Sequence, residues 1–360
     1  MKNSTTPRVF IAATRQNDGK TTTSLGLIAA LQKEFPRIGY IKPVGQRFVE
    51  IEEQKIDEDT VLMDSVYGMN CPLVDMSPIA VEPDFTRKYL QAANNDTLVK
   101  KIQDAFDRVA WEKDFVLCEG SGHAGVGAVF DLSNAQVAKH LGCKVIIVSR
   151  GGIGKPIDEV ALNQALFEKE GVEIIGVIIN KVLEDKVDYI SDFARRGLKR
   201  KGLDLLGVIP HQAMLSQPTM DLIREELKAE LLNNPPTLHT AVEDVIVGAM
   251  GAQNALRFFK RGVLLITPGD REDILTAACA HGDEMAGIVL TGGLQPGNGA
   301  LRAVRAMRIP VLLAKDDSYQ VASMVHDLTV KTRPTDAEKI SLIRDIVAKN
   351  VNVKKILDSL

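Results

Sequence analysis

The chain has 360 residues, 45% of them hydrophobic and 25% charged, enough for about two domains with their own buried cores. Lys plus Arg is 44 and Asp plus Glu is 47, and the formal net charge of -3 gives no electrostatic case for nucleic acid or an anionic membrane as the main partner. No apolar run approaches the length of a membrane span, and residues 1–7 lack the apolar core of a signal peptide, so the expectation is a cytoplasmic protein.

An apolar run at 9–13 opens the chain. It is followed by Asn17-Asp18-Gly19-Lys20-Thr21-Thr22 and by helical periodicity at Leu25, Leu27, Ile28 and Leu31. Strand, glycine turn, lysine, hydroxyl and helix stand in the order of a phosphate-binding loop. Glycine lets the backbone approach a phosphate with its N–H groups turned inward, and the helix offers its positive end to the anion. Lys20 is placed to reach the outer phosphates, and Thr21 to hold Mg2+ through its hydroxyl. Two positions depart from the usual pattern. Thr14 stands where a glycine is expected, and Asp18 puts a negative charge near the phosphates, which weakens binding. Thr14, Asn17, Asp18, Gly19, Lys20, Thr21 and Thr22 are the candidate nucleotide-binding residues of this loop.

Apolar runs at 38–44, 115–118, 145–148, 174–179 and 205–209 then alternate with helical patterns, clearest at 21–35, 98–111, 157–168 and 187–199. Runs without polar alternation read as strands buried on both faces, and the rhythm predicts a doubly wound parallel α/β sheet. Residues 50–113 exceed one crossover. They read as a mostly helical insertion over the C-terminal edge of the sheet, with Glu52, Glu53, Asp57, Glu58 and Asp59 as a solvated acidic surface. Lys42 ends the second strand before Pro43, where its ammonium can neutralise charge on a transferring phosphoryl group. Glu119 ends the third strand ahead of Gly120-Ser121-Gly122, as a metal ligand or a helix cap. The loop 149–154 lies on the same edge. Asn180 ends the fifth strand; its amide suits a base edge or a turn. His123 reads as a surface histidine or an acid–base group.

The turn-rich stretch 233–237 suggests a division of the chain into a first domain at 1–230, a linker at 231–240 and a second at 241–360. The second domain has strand candidates at 242–247, 262–267, 286–290 and 309–314, and its tail from 336 to 360 is amphipathic, with Ile340, Ile343, Ile346 and Val347 on one stripe. Cys71, Cys118, Cys143 and Cys279 are scattered without metal-ligand spacing and read as reduced thiols.

The phosphate loop, Lys42-Pro43-Val44, Glu119-Gly120, Gly176-Val177-Ile178-Ile179-Asn180 and Leu206-Gly207-Val208-Ile209-Pro210 together resemble dethiobiotin synthetase and its relatives, including cobyrinic acid a,c-diamide synthase. The resemblance implies a P-loop NTPase domain binding ATP and Mg2+. Lys20 and Lys42 would be its catalytic residues, Thr21 and Glu119 its metal ligands, and Asn180 its adenine contact. The whole chain looks like the N-terminal region of long bacterial phosphotransacetylases, in which a DRTGG domain follows. Residues 262–271 and 287–293 carry that second half, although Asp270-Arg271-Glu272-Asp273 lacks the glycines of the namesake motif, which puts a ligand role for that loop in doubt. Both resemblances imply homodimers or higher homo-oligomers.

Two functional readings stand side by side. In one, the chain is an ATP-dependent enzyme that phosphorylates a small carboxylate or carbamate in a ligase-like reaction. In the other, it is a non-catalytic nucleotide-sensing regulator linked to acetyl-phosphate or central carbon metabolism. Without a recognisable acetyltransferase domain or glutaminase region, it is expected to be neither an acetyltransferase nor glutamine-dependent; Cys279 lies in a helical stretch without a base partner.

Overall fold

The computed structural model describes residues 1–328 and 330–360. The chain forms two compact units, one from Met1–Gln212 together with Thr332–Leu360, the other from Ala213–Lys331.

The first unit is built on a six-stranded sheet of β1 (Arg8–Ala13), β2 (Ile38–Ile41), β3 (Phe115–Glu119), β4 (Lys144–Arg150), β5 (Ile174–Val182) and β6 (Leu205–Pro210). Their order in space is β6-β5-β4-β1-β3-β2, and every pairing is parallel. The apolar runs seen in the sequence form these strands because both faces are covered: every residue of β1 and β3 is buried. The chain leaves β1 for β2 on one side, returns through β3 and then crosses to β4 on the other. The point of reversal lies at β1, where the crevice at the C-terminal ends of β1 and β3 is the ligand position of doubly wound sheets.

The segment after β2 is the expected mostly helical insertion, with four helices between residues 58 and 109, but its start differs. It begins with a β-hairpin, Phe48–Ile51 paired with Gln54–Asp57. Its two-residue turn, Glu52-Glu53, has φ 48° and 64°, the doubly left-handed turn that matches strand twist. The helices follow only from Glu58–Tyr67 onward. The hairpin splits the acidic cluster: Glu52 and Glu53 are exposed, whereas Asp57 and Asp59 are buried.

The second unit has a sheet in the order Glu230–Leu231, Val311–Leu313, Gly287–Thr291, Val263–Pro268, Asp244–Val247; the first pairing is antiparallel and the others parallel. Leu264, Ile266 and Val289 pack on one face with Ile223 and Leu227, while Leu265, Ile288 and Leu290 pack on the other with Ile274 and Leu275.

Two expected boundaries change. The first unit's opening segment ends at Gln212 rather than at 230, and residues 213–240 belong to the second unit: Ile223 and Leu227 pack in its core, and Asn233 donates to the carbonyls of Met307 and Ile309 (3.0 and 2.7 Å) and accepts from the Val311 N–H (3.0 Å), which ties it to the sheet. The amphipathic tail belongs to the first. Its helix Ala337–Asn350 lies against the helix Lys20–Leu31, and Gly26 permits the approach, since a Cβ there would overlap Val347. The pattern of the tail was legible, but a stripe of apolar side chains does not name the surface that covers it.

Candidate functional site

β1 passes into the helix Lys20–Leu31 through the phosphate loop. Asn17 and Gly19 take φ values of 65° and 97°, in the left-handed region. At Gly19 a side chain would also overlap the amide nitrogen of Asn180. That amide donates to the carbonyl of Asp18 at 2.9 Å, its oxygen accepts from the Lys181 N–H at 2.8 Å, and Lys181 Nζ donates to the carbonyl of Asn17 at 2.8 Å. The Asn180-Lys181 pair at the end of β5 therefore clamps two consecutive carbonyls of the loop. Burial, with Arg150 nearby, holds the Lys181 pKa below its ordinary value. Asn180, which the sequence suits to a base edge or a turn, has this contact with the phosphate loop as a role that sequence reasoning missed.

The two departures from the usual loop pattern are linked. The buried Asp18 carboxylate accepts from Thr14 Oγ1 and from the Arg15 N–H, both at 2.8 Å. Thr14 Oγ1 also lies 3.0 Å from Ser149 Oγ, at the end of β4. Conformation that glycine would leave free is here held by a hydroxyl and a carboxylate. The Asp18 charge is engaged within the loop itself. Thr22 is partly buried on the first turn of the helix.

Lys20 and Lys42 are both buried. Lys42 leaves the end of β2, where its N–H donates to the Met76 carbonyl at 2.8 Å. Its ammonium pairs with Asp59, and lies 3.4 Å from Asp57 and 3.5 Å from Glu119 Oε1. The same Glu119 oxygen accepts from Thr21 Oγ1 at 3.0 Å, and Glu119 Oε2 accepts from the Tyr40 hydroxyl at 3.2 Å. Thr21 and Glu119, predicted together from the sequence, thus meet across the β1/β3 crevice. Asp57 and Asp59, read as solvated, join them. The missed signal was the need of a strand-end lysine for a counter-charge.

These charges set one another's protonation. Burial alone would lower the Lys42 pKa, but Asp59, Glu119 and Asp57 outweigh it and raise it above its ordinary value. For Lys20 burial wins: its pKa is lowered, with Lys42 adding repulsion and Glu119, Asp59 and Asp18 opposing. Burial, then the Glu119, Asp59 and Asp57 charges, drive the Tyr40 phenol well above its normal range.

Thr21, Glu119, Asp57 and Asp59 supply only hard oxygen donors. That chemistry fits a divalent cation held by few protein ligands and completed by phosphate oxygens. Among the described residues no three of His, Cys, Asp and Glu already stand as a metal cluster; the cation between these carboxylates is the Lys42 ammonium.

The remaining candidates lie around this centre or away from it. Asn134 pins the loop after Glu119 by accepting from the Ser121 N–H (3.1 Å) and donating to the carbonyls of Ser121 and His123 (2.8 and 2.7 Å). The His123 ring is exposed, and its Nδ1 accepts from the Gly125 N–H at 3.2 Å. Arg15 pairs with Glu159 on the helix that follows the 149–154 loop. In the second unit Arg271 donates to Asp273 (2.8 and 2.9 Å) and to the carbonyls of Met250 and Gly248 (2.8 and 3.3 Å), tying loops together. The four cysteines are free thiols, and Cys118 and Cys143 lie 3.7 Å apart, sulfur to sulfur. No helix among the described residues is long and apolar enough to cross a membrane.

Residues 7–219 match the AAA domain family AAA_26, and residues 222–328 match the DRTGG domain. Proteins named phosphate acetyltransferase align along nearly the whole chain. That of Nitratidesulfovibrio vulgaris is 26% identical over 359 residues, covering 96% of this chain and 50% of the relative. That of Pseudomonas putida is 29% identical over 362 residues, covering 95% and 50%. The chain therefore spans about half the length of these relatives. Among solved structures, the MinC:MinD complex of Aquifex aeolicus matches at 17% identity and a TM-score of 0.37, over 58% of this chain and 83% of that one. The regulatory CBS and DRTGG domains of Clostridium perfringens pyrophosphatase, complexed with diadenosine tetraphosphate, match at 17% identity and a TM-score of 0.28, over 46% and 84%. One expectation is overturned: with relatives named as acetyltransferases along most of the chain, the exclusion of that activity does not stand. It rested on failing to recognise a domain, which is no physical argument against an activity. The fold, the phosphate loop and the match over more than half of its length place the chain in the AAA_26 family of P-loop nucleotide-binding domains, joined here to a DRTGG domain.

Proposed function

We propose that the first unit binds ATP with Mg2+ and serves as a nucleotide-responsive regulatory part of phosphate acetyltransferase chemistry. The observation that carries this reading is the convergence of Lys20, Thr21 and Glu119 at the β1/β3 crevice, on a loop already braced by Asp18 and Asn180. In this proposal the loop N–H groups and Lys20 hold the phosphates, and Thr21, Glu119 and Asp59 hold Mg2+, which supplies charge neutralisation at the phosphate oxygens. The names of the relatives supply the link to acetyl phosphate.

A second reading is favoured by one feature. Lys42 is a second buried lysine beside the metal-type oxygens, and phosphoryl transfer uses such a charge. Under it the unit phosphorylates a small carboxylate or carbamate.

Calorimetry with ATP, ADP and GTP, with and without Mg2+, tests the first reading. Mg2+-dependent binding that is lost in Lys20→Ala is expected; no heat from any nucleotide would remove it. ADP release measured in parallel, with and without small carboxylic acids, decides between regulation and transfer.

A further inference from the structure

We propose that Lys42 is an exchangeable internal counter-ion: it holds the carboxylates of the cation site together and must leave them when a divalent cation binds. The inference rests on the nucleotide–metal reading above and adds how the site is gated.

Three carboxylates, those of Asp57, Asp59 and Glu119, surround one ammonium in a buried setting. Burying such charges is costly unless they are paired, and Lys42 is the pairing cation here. The decisive feature is a shared atom. Glu119 Oε1 lies 3.5 Å from Lys42 Nζ and 3.0 Å from Thr21 Oγ1, the hydroxyl that a phosphate-loop metal uses. A divalent ion on Thr21 and Glu119 would therefore sit beside the ammonium, and at that separation in a poorly solvated site the two cations repel strongly. Lys42 is also a flexible point charge on a four-carbon stem. It can move from the carboxylates towards phosphate oxygens, which supply the counter-charge it gives up. Cation and nucleotide then favour each other, because the first displaces Lys42 and the second receives it. By linkage each raises the affinity for the other.

Removing the ammonium should turn the cluster into a better cation site. Mn2+ alone is titrated, without nucleotide, into the full-length wild type and Lys42→Met, by calorimetry and thermal unfolding. At least tenfold tighter Mn2+ binding and a larger Mn2+-induced rise in Tm are expected for Lys42→Met. Equal or weaker Mn2+ binding by folded Lys42→Met would overturn the proposal. If that variant does not fold, the wild type decides. The side-chain ammonium resonance of Lys42, assigned by its loss in Lys42→Arg, should shift on saturation with Mg2+ and ATP; an unmoved resonance overturns the proposal. The Mn2+ arm contains no nucleotide. Failure of the nucleotide reading would show as absent ATP binding in the wild type, whereas failure of the exchange would show in Mn2+ affinity.

Discussion

The side chain of Asn180 donates to the backbone carbonyl of Asp18 at 2.9 Å, across 162 positions of sequence. The contact leaves no room for a side chain at Gly19, whose φ of 97° already disfavours one. Asn180→Ala strands a buried carbonyl, and leaving such an acceptor unpaired costs about 1–3 kcal/mol. Urea unfolding should show that loss. Gly19→Ala should cost more, because strain and overlap act together. In both variants ATP affinity should fall further than global stability, as the loop is the part released. Equal ATP binding by Asn180→Ala and wild type would show that the clamp does not order the loop.

Lys42→Met leaves Asp57, Asp59 and Glu119 without their shared cation. Breaking a buried pair from one side typically costs about 3–5 kcal/mol, and denaturant unfolding should show a loss of that order. Its pH dependence has a definite sign. The folded pKa of Lys42 lies above the ordinary 10.5, so its contribution is fully present below that value and disappears only as pH rises through the folded pKa. The stability gap between wild type and variant, measured without divalent cations, should therefore stay flat through neutral and mildly alkaline pH. A gap that closes below pH 10.5 would contradict the pairing.

The legible parts were those that a local pattern determines. Buried strands such as β1 and β3 show uninterrupted apolar runs, and the phosphate loop is contiguous in sequence, so the Thr21–Glu119 meeting followed from two strand ends of one parallel sheet. Asp57 and Asp59 were not legible from composition, since they share an acidic run with Glu52 and Glu53. Only the hairpin turn separates the exposed pair from the buried one, and that turn carries Glu-Glu in place of the Asn-Gly that signals a left-handed turn. The clamp on Asp18 and the Gly26–Val347 approach depend on contacts between distant segments, for which a single sequence holds no local signal.

The tail helix should stabilise the phosphate-loop unit, although the second unit precedes it in the chain. Ile343 is fully buried there. Ile343→Ala should cost about 2–5 kcal/mol. Gly26→Val, which forces a side chain against Val347, should cost about 1–3 kcal/mol by overpacking. Hydrogen exchange locates the effect: faster exchange is expected in the helix Lys20–Leu31 for both variants, and not for Leu275→Ala in the second unit. Unchanged exchange in that helix would mean the tail contributes nothing to it.

Lys20 offers a prediction in which stability and ligand binding move in opposite directions. Burial lowers its pKa in the folded chain, while the unfolded chain keeps the ordinary 10.5. Between those two values the unfolded state binds more protons than the folded one, so the Lys20 contribution to stability grows as pH rises through that window. The charged ammonium is thus a cost to the free protein. Lys20→Met should leave the free protein as stable as wild type or more so at neutral pH, with the alkaline gain gone. Phosphate binding needs the charge, so ATP affinity should be abolished in the variant and should decline in the wild type as pH climbs within the same window, before free lysine deprotonates. Thermal unfolding and calorimetry across that range check both limbs. A Lys20→Met protein clearly less stable than wild type at neutral pH would show that attraction from Glu119, Asp59 and Asp18 outweighs burial, and would reverse the sign of the argument.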